Sequence, residues 1–98
     1  MRYDFAWDIR KAKSNFGKHR ISFARAALIF RDPHLLSIPD DEHSEHEERW
    51  LTIGLDSNGI LLVISHTFEK ISETIYKIRI ISARKATKTE TKQYEEGI

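Results

Sequence analysis

The chain has 98 residues, 40% of them hydrophobic and 32% charged, a balance that suits one small folded domain rather than a disordered chain. It has no cysteine, which excludes a disulfide scaffold, a thiolate metal site and a cysteine nucleophile. The apolar run from Ile60 to Ile64 is far short of the roughly 20 residues that span a bilayer, and Met1 to Phe5 holds no apolar signal core. A soluble cytoplasmic protein is therefore expected.

The net charge of +1 conceals segregation. Residues 1–31 carry eight Lys/Arg against two acids, residues 32–48 carry seven acids and no Lys or Arg, and residues 49–98 carry eight bases against six acids. A basic first third can meet a phosphate backbone, and the acidic stretch is either a solvated loop or a surface for a basic protein.

Tyr3 to Trp7 alternates as a short strand does. Asp8 is a suitable N-cap for a helix that puts Ile9, Ala12 and Phe16 on one stripe, with Gly17 near its end. Ser22 opens a second helix with Phe23, Ala26, Ala27 and Phe30 at i, i+3, i+4 and i+7, and Asp32-Pro33 closes it. His34 to Ile38 reads as a strand, followed by an acidic loop from Asp40 to Glu48. Arg49 to Leu55 alternates, Asp56 to Gly59 is a turn, and Ile60 to Thr67 is apolar on both faces, as in a central strand. A polar connection, Phe68 to Thr74, leads to the β-branched run Ile75 to Ala83. Thr87 and Glu90 form a possible capping box for a last helix reaching about Glu96. The order β-α-α-β-β-β-β-α predicts an α+β fold, a small antiparallel sheet with helices on one face.

Few residues in this pattern suggest chemistry. Lys18-His19, with Lys11, Lys13 and Arg20 nearby, is either a cationic cluster able to hold phosphates and exchange a proton, or a solvated helix end. Arg79 is a cation within an apolar strand, so it needs an anion opposite, either a structural one such as Glu48 or Asp56, or a substrate phosphate. Arg84 leaves the end of the same strand. His43 and His46, three apart among glutamates, lack the spacing of a zinc helix, and no metal site is expected. There is no glycine-rich phosphate loop or dinucleotide fingerprint, and no cofactor is expected. Metal-independent cleavage of RNA fits such a residue set, because the 2′-OH supplies the nucleophile and the protein need supply only proton carriers and cations.

Several segments resemble BrnT-type toxins. These are Phe5-Ala6-Trp7-Asp8, Lys11, Asn15, Lys18-His19, Ser22-Phe23, Ala26, Phe30 and Asp32-Pro33, then His43, Glu48-Arg49 and Gly54. The end, Arg79-Ile80-Ile81-Ser82-Ala83-Arg84-Lys85-Ala86-Thr87 with Glu90 and Tyr94, continues the resemblance. The Phe68 to Thr74 connection is longer than the family's short link, and His66 matches no family role.

The resemblance implies a RelE-like fold in a single domain, residues 1–98. It implies the ribonuclease toxin of a type II toxin–antitoxin module, which cleaves RNA, inhibits translation and arrests growth. The implied partner is a BrnA-type antitoxin, in a heterotetramer of two toxins and two antitoxins that meets operator DNA only through the antitoxin. The implied active surface is Lys18, His19, Glu48, Arg79 and Arg84. Arg79 and Arg84 would hold the scissile phosphate, His19 or Glu48 would take the 2′-OH proton, and Lys18 would serve the leaving oxygen. Lys11, Arg49, Lys85 and Tyr94 would contact RNA, although Tyr94 also suits a helix anchor. Without the resemblance, a non-catalytic nucleic-acid-binding module or a protein-interaction module fits the same residues.

Overall fold

The Asp8 carboxylate accepts from the amides of Arg10 (2.8 Å) and Lys11 (3.1 Å), so strand β1 (Arg2–Trp7) turns directly into helix α1 (Ile9–His19) in this computed structural model, which describes residues 1–97. Arg20, not Gly17, closes the helix: it takes the left-handed conformation (φ 59°) and its amide reaches the Phe16 carbonyl at 2.8 Å. Ser22 caps α2 (Phe23–Ala27), which tightens into a 3-10 turn, Leu28–Arg31, before Asp32-Pro33. Strands β2 (Leu36–Pro39), β3 (Trp50–Leu55), β4 (Leu61–His66), β5 (Glu69–Lys70) and β6 (Ile75–Lys85) follow. Helix α3 (Lys88–Glu96) then starts on the Thr87–Glu90 capping box.

The sheet runs β1-β6-β4-β3-β2, with β5 also paired to β6. The α+β class and element order match the sequence reading, but the sheet is mixed: β1 lies parallel to β6, from Arg2 opposite Ile75 to Trp7 opposite Ile80. The long connection is not a loop. Its β5 continues the line of β4 along β6, pairing Glu69 with Lys77 and Lys70 with Tyr76.

One face carries Leu62, Ile64, Ile78, Ile80 and Ala83, buried beneath Ile21, Phe23, Ala26 and Ile29 from the α1–α2 link and the second helical segment. Burying side chains of this size contributes about 1.5–3 kcal/mol each. Gly54 admits the 3-10 turn, since a Cβ there would stand 3.1 Å from the Ile29 carbonyl and Cβ. Helix α1 is rotated off its apolar stripe, of which only Ala12 packs against the core. Ile9 and Phe16 are exposed, and Asn15 turns inward.

The reason lies at the sheet edge. Strand β1 ends opposite Ile80 while β6 continues, which leaves the outward amide and carbonyl of Ala83 without a neighbouring strand. The Asn15 side chain supplies that pairing: Oδ1 accepts from the Ala83 amide (3.0 Å), and Nδ2 donates to the carbonyls of Ala83 (2.9 Å) and Ile21 (3.2 Å). Three buried backbone groups outweigh two apolar side chains, because an unpaired buried amide or carbonyl costs about 1–3 kcal/mol.

Strand β6 contains a bulge. Ser82 pairs with Ser65 but Ile80 pairs with His66, so Ile81 is an extra residue. It resets the alternation, and Ala83 joins Ile78 and Ile80 on the helix-covered face. Arg79 and Arg84, five apart, consequently share the other face. Helix α3 packs against β3 and meets this second face through Glu90, so the helices occupy both sides of the sheet rather than one.

Candidate functional site

The acidic segment 40–48 is organised around a hydroxyl. Ser44 Oγ donates to the Asp40 carbonyl (2.6 Å) and accepts from the Arg49 amide (3.0 Å), while His43 Nδ1 pairs with Asp40 Oδ2 at 2.9 Å. This fold of the loop directs Glu47 onto Arg79. Arg79 Nη2 donates to both carboxylate oxygens, at 2.5 and 2.6 Å. Arg49 adds a longer contact to the same carboxylate at 3.5 Å. The Arg79 hydrogen bonds, aided by both guanidinium charges, hold the Glu47 carboxyl below the usual range against the opposing effect of burial. The anion opposite Arg79 is thus Glu47, not Glu48 or Asp56. Asp56 instead accepts from Arg25 Nε (2.6 Å) and from the amides of Asn58 (2.8 Å) and Ile60 (2.9 Å), which fixes the β3–β4 turn.

Arg79 lines a polar groove of about 260 Å³ together with Glu47, Glu48, Thr67, Phe68, Glu69 and Lys77. Only Nη2 of Arg79 is engaged among the described residues; Nη1 and Nε remain able to donate. The groove therefore pairs a partly free guanidinium with a neighbouring carboxylate, Glu48. That combination can grip a phosphate and accept a proton beside it.

Arg84 is held differently. Its Nη1 and Nη2 donate to the two oxygens of Glu90 at 2.7 and 2.9 Å, a two-pronged pair, and Glu90 also accepts from the Thr87 amide at 2.9 Å. The Arg84 hydrogen bonds lower the Glu90 carboxyl to about 2, with burial opposing and the Thr87 amide assisting. The structure thus brings Arg79, Glu48 and Arg49 together at one end of the open face, with Arg84 farther along it.

The remaining candidates lie elsewhere. Lys18 and His19 end α1, which packs on the covered face, and neither bonds to either arginine among the described residues. Lys11 is exposed on α1, and Lys85 is exposed at the end of β6. Tyr94 anchors α3: its hydroxyl donates to Asp32 Oδ2 at 2.5 Å, and burial together with that carboxylate pushes its pKa up to about 12. No group of three or more His, Asp or Glu converges on a cation position among the described residues. Glu47 was missed by sequence reasoning, because nothing local separates it from Glu45 or Glu48.

A second constellation surrounds His66. Its Nε2 lies 2.6 Å from Thr52 Oγ1, which lies 2.6 Å from Ser37 Oγ, and its Nδ1 lies 2.9 Å from the Thr67 carbonyl. Burial lowers the His66 pKa, so the ring is neutral. No sequence signal connects these three residues, which come from three different strands.

A small mixed sheet with a cationic groove on the face it shares with α3, and with α1 and α2 packed across the other, is compatible with a nucleic-acid-cutting toxin, and comparison with known proteins makes the class definite. The sequence profile described as "Ribonuclease toxin, BrnT, of type II toxin-antitoxin system" matches residues 7–90. The chain belongs to the BrnT family of ribonuclease toxins from type II toxin–antitoxin systems. Its fold is similar to the crystal structure of the Brucella abortus ribonuclease toxin BrnT, with a TM-score of 0.61 at 20% identity, covering 90% of this chain and 100% of that one. No curated protein sequence matches it closely. No helix among the described residues is long and apolar enough to cross a membrane.

Proposed function

We propose that the chain is the toxin of a type II module: a cytoplasmic, metal-independent endoribonuclease that inhibits translation, arrests growth and is neutralised by a BrnA-type antitoxin. The observation that carries this reading is Arg79 in its groove, with two guanidinium nitrogens free and Glu48 alongside. In the reaction, Arg79 exchanges Glu47 for the scissile phosphate and stabilises the charge that grows on its oxygens. Glu48 accepts the 2′-OH proton as that oxygen attacks phosphorus and the 5′-oxygen departs with a proton from water, leaving a 2′,3′-cyclic phosphate and a 5′-hydroxyl. Arg84 extends the cationic face along the strand. Lys18, His19 and Lys11, on the α1 side and away from Arg79, serve the distal RNA backbone rather than the leaving group, and Arg49 and Lys85 add charge at either end.

The antitoxin reading rests on family membership and on the exposed Ile9 and Phe16 of α1, apolar groups left outside the core. A heterotetramer with the antitoxin supplying the DNA contact remains the expected assembly. The test is incubation of the purified chain with total RNA in EDTA, beside Arg79→Ala. Fragments with cyclic phosphate ends from the wild type alone support the reading. Intact RNA with a folded wild-type chain removes it and leaves a binding module.

A further inference from the structure

His66 has no part in the groove chemistry, yet with Ser37 it supplies the polar floor of a largely apolar cavity of about 230 Å³. The walls are Tyr3 from β1, Phe30 from the 3-10 turn, Leu35, Trp50 from β3 and Phe68 from the β4–β5 link. These rings brace one another. Phe68 stacks on Tyr76 (centroids 4.9 Å apart, 22° between planes), Tyr3 packs against both Phe30 and Tyr76, and the Phe30 and His66 rings meet edge to face at 5.1 Å. The cavity and the Arg79 groove share Phe68 as a common wall.

The hydrogen-bond chain at the floor has a fixed direction. The Thr67 carbonyl can only accept, so His66 Nδ1 carries the proton and neutral Nε2 must accept. Thr52 then donates to His66, and Ser37 donates to Thr52. Ser37 Oγ is left with lone pairs and no proton to offer, and it lines the cavity as an acceptor.

We propose that this cavity is a nucleobase pocket, taking one unstacked base of the RNA strand whose phosphate lies against Arg79. The inference rests on the ribonuclease reading and extends it to a subsite. Three features favour a base over another apolar group: flat aromatic walls, a single acceptor at the floor, and a cationic groove immediately beyond the shared wall. Single-stranded RNA is commonly recognised by stacking splayed bases on aromatic side chains. The acceptor at Ser37 can take a hydrogen bond from an N–H on the edge of the inserted base.

The test uses the full chain and a series of 2′-O-methyl RNA hexamers, which cannot be cleaved, with each position in turn made abasic. Binding is read by fluorescence anisotropy for wild type, Phe68→Ala, Ser37→Ala and Arg79→Ala. Phe68 is 41% exposed, so its replacement leaves the core intact. The expected result is a roughly tenfold loss for Phe68→Ala on the complete hexamer, in line with the loss of one stacking contact. That loss should vanish when one particular position is abasic, and Ser37→Ala should weaken binding only when that position carries a base. Equal effects of Phe68→Ala on complete and abasic hexamers, or no effect on either, overturn the pocket while Arg79-dependent binding leaves the ribonuclease reading standing. Absence of binding to every hexamer by the wild type overturns both.

Discussion

Arg79 and Arg84 stand on one strand and one face of the sheet, each against a glutamate, yet the two pairs are built for different ends. Arg84 offers two nitrogens to the two oxygens of Glu90, the third residue of the helix that follows, and Glu90 is simultaneously part of the Thr87 capping box. Arg79 offers one nitrogen to both oxygens of Glu47, a residue 32 positions away on a separate loop and 39% exposed at its side chain. The first pair is tied to a helix start, so separating it disturbs α3. The second is tied only to a surface loop, so an incoming phosphate can replace the carboxylate with little structural cost. The same two residue types therefore make a brace in one position and a replaceable counter-ion in the other.

The sharpest way to break this comparison is to remove each arginine. Arg79→Ala is expected to lower RNA cleavage by about a hundredfold or more, the usual loss when a donor to developing charge is removed. Its thermal unfolding should scarcely move, because Glu47 is left free to hydrate. An equal loss of cleavage in a fully folded Arg84→Ala chain would erase the distinction and make both arginines phosphate ligands.

The brace itself is tested by acid. With the Glu90 carboxyl at about 2 in the folded chain against an ordinary 4.5, its stabilisation is complete above pH 4.5 and is lost as the pH falls towards 2. Glu90→Gln is expected to be less stable than wild type by roughly 1–2 kcal/mol at pH 7 after allowance for solvent screening, and about equal to it near pH 2. Denaturant unfolding across that range reads the convergence, and a constant gap would refute it.

Smaller effects refine the picture. Glu47→Gln removes the carboxylate held by Arg79 and is expected to tighten RNA binding roughly fivefold, about 1 kcal/mol, if RNA phosphate takes its place. A fall in cleavage at unchanged affinity would instead make Glu47, not Glu48, the proton acceptor. Tyr94→Phe removes only the hydrogen bond to Asp32 and is expected to cost about 1 kcal/mol of stability with cleavage unchanged. Altered cleavage there would show that the C-terminal helix touches RNA as well as the sheet.

Local chemistry made much of the fold readable in advance. Asp8, Ser22 and Thr87 cap helices as their side chains dictate, Gly59 takes the positive φ of the turn, and the Phe23–Ala26 stripe is core. What stayed hidden depends on partners distant in sequence. Asn15 meets Ala83 across 68 residues, and that contact decides which side of α1 faces inward, against the pull of Ile9 and Phe16. A one-residue bulge at Ile81 leaves no mark in a run of β-branched residues, yet it decides whether Arg79 and Arg84 share a face. Of the candidate site, Arg79 was visible as a cation in an apolar strand and Glu48 came from the family resemblance; Glu47 and the Ser37–Thr52–His66 chain were not visible, because the first owes its position to the fold of its loop and the second to register between strands.

The parallel pairing of β1 with β6 has a bearing on how the chain is made. Strand β6 lies inside the sheet, between β1 and β4, but it is the last strand to leave the ribosome. Until residues 75–85 have emerged, β1 has no neighbour, the helix-covered core lacks Ile78, Ile80 and Ala83, and neither arginine exists. Such long-range closure makes assembly slow and nearly all-or-none. A chain that stops before β6 therefore has neither the closed core nor the arginine-lined groove, and both come into being only when residues 75–85 take their place.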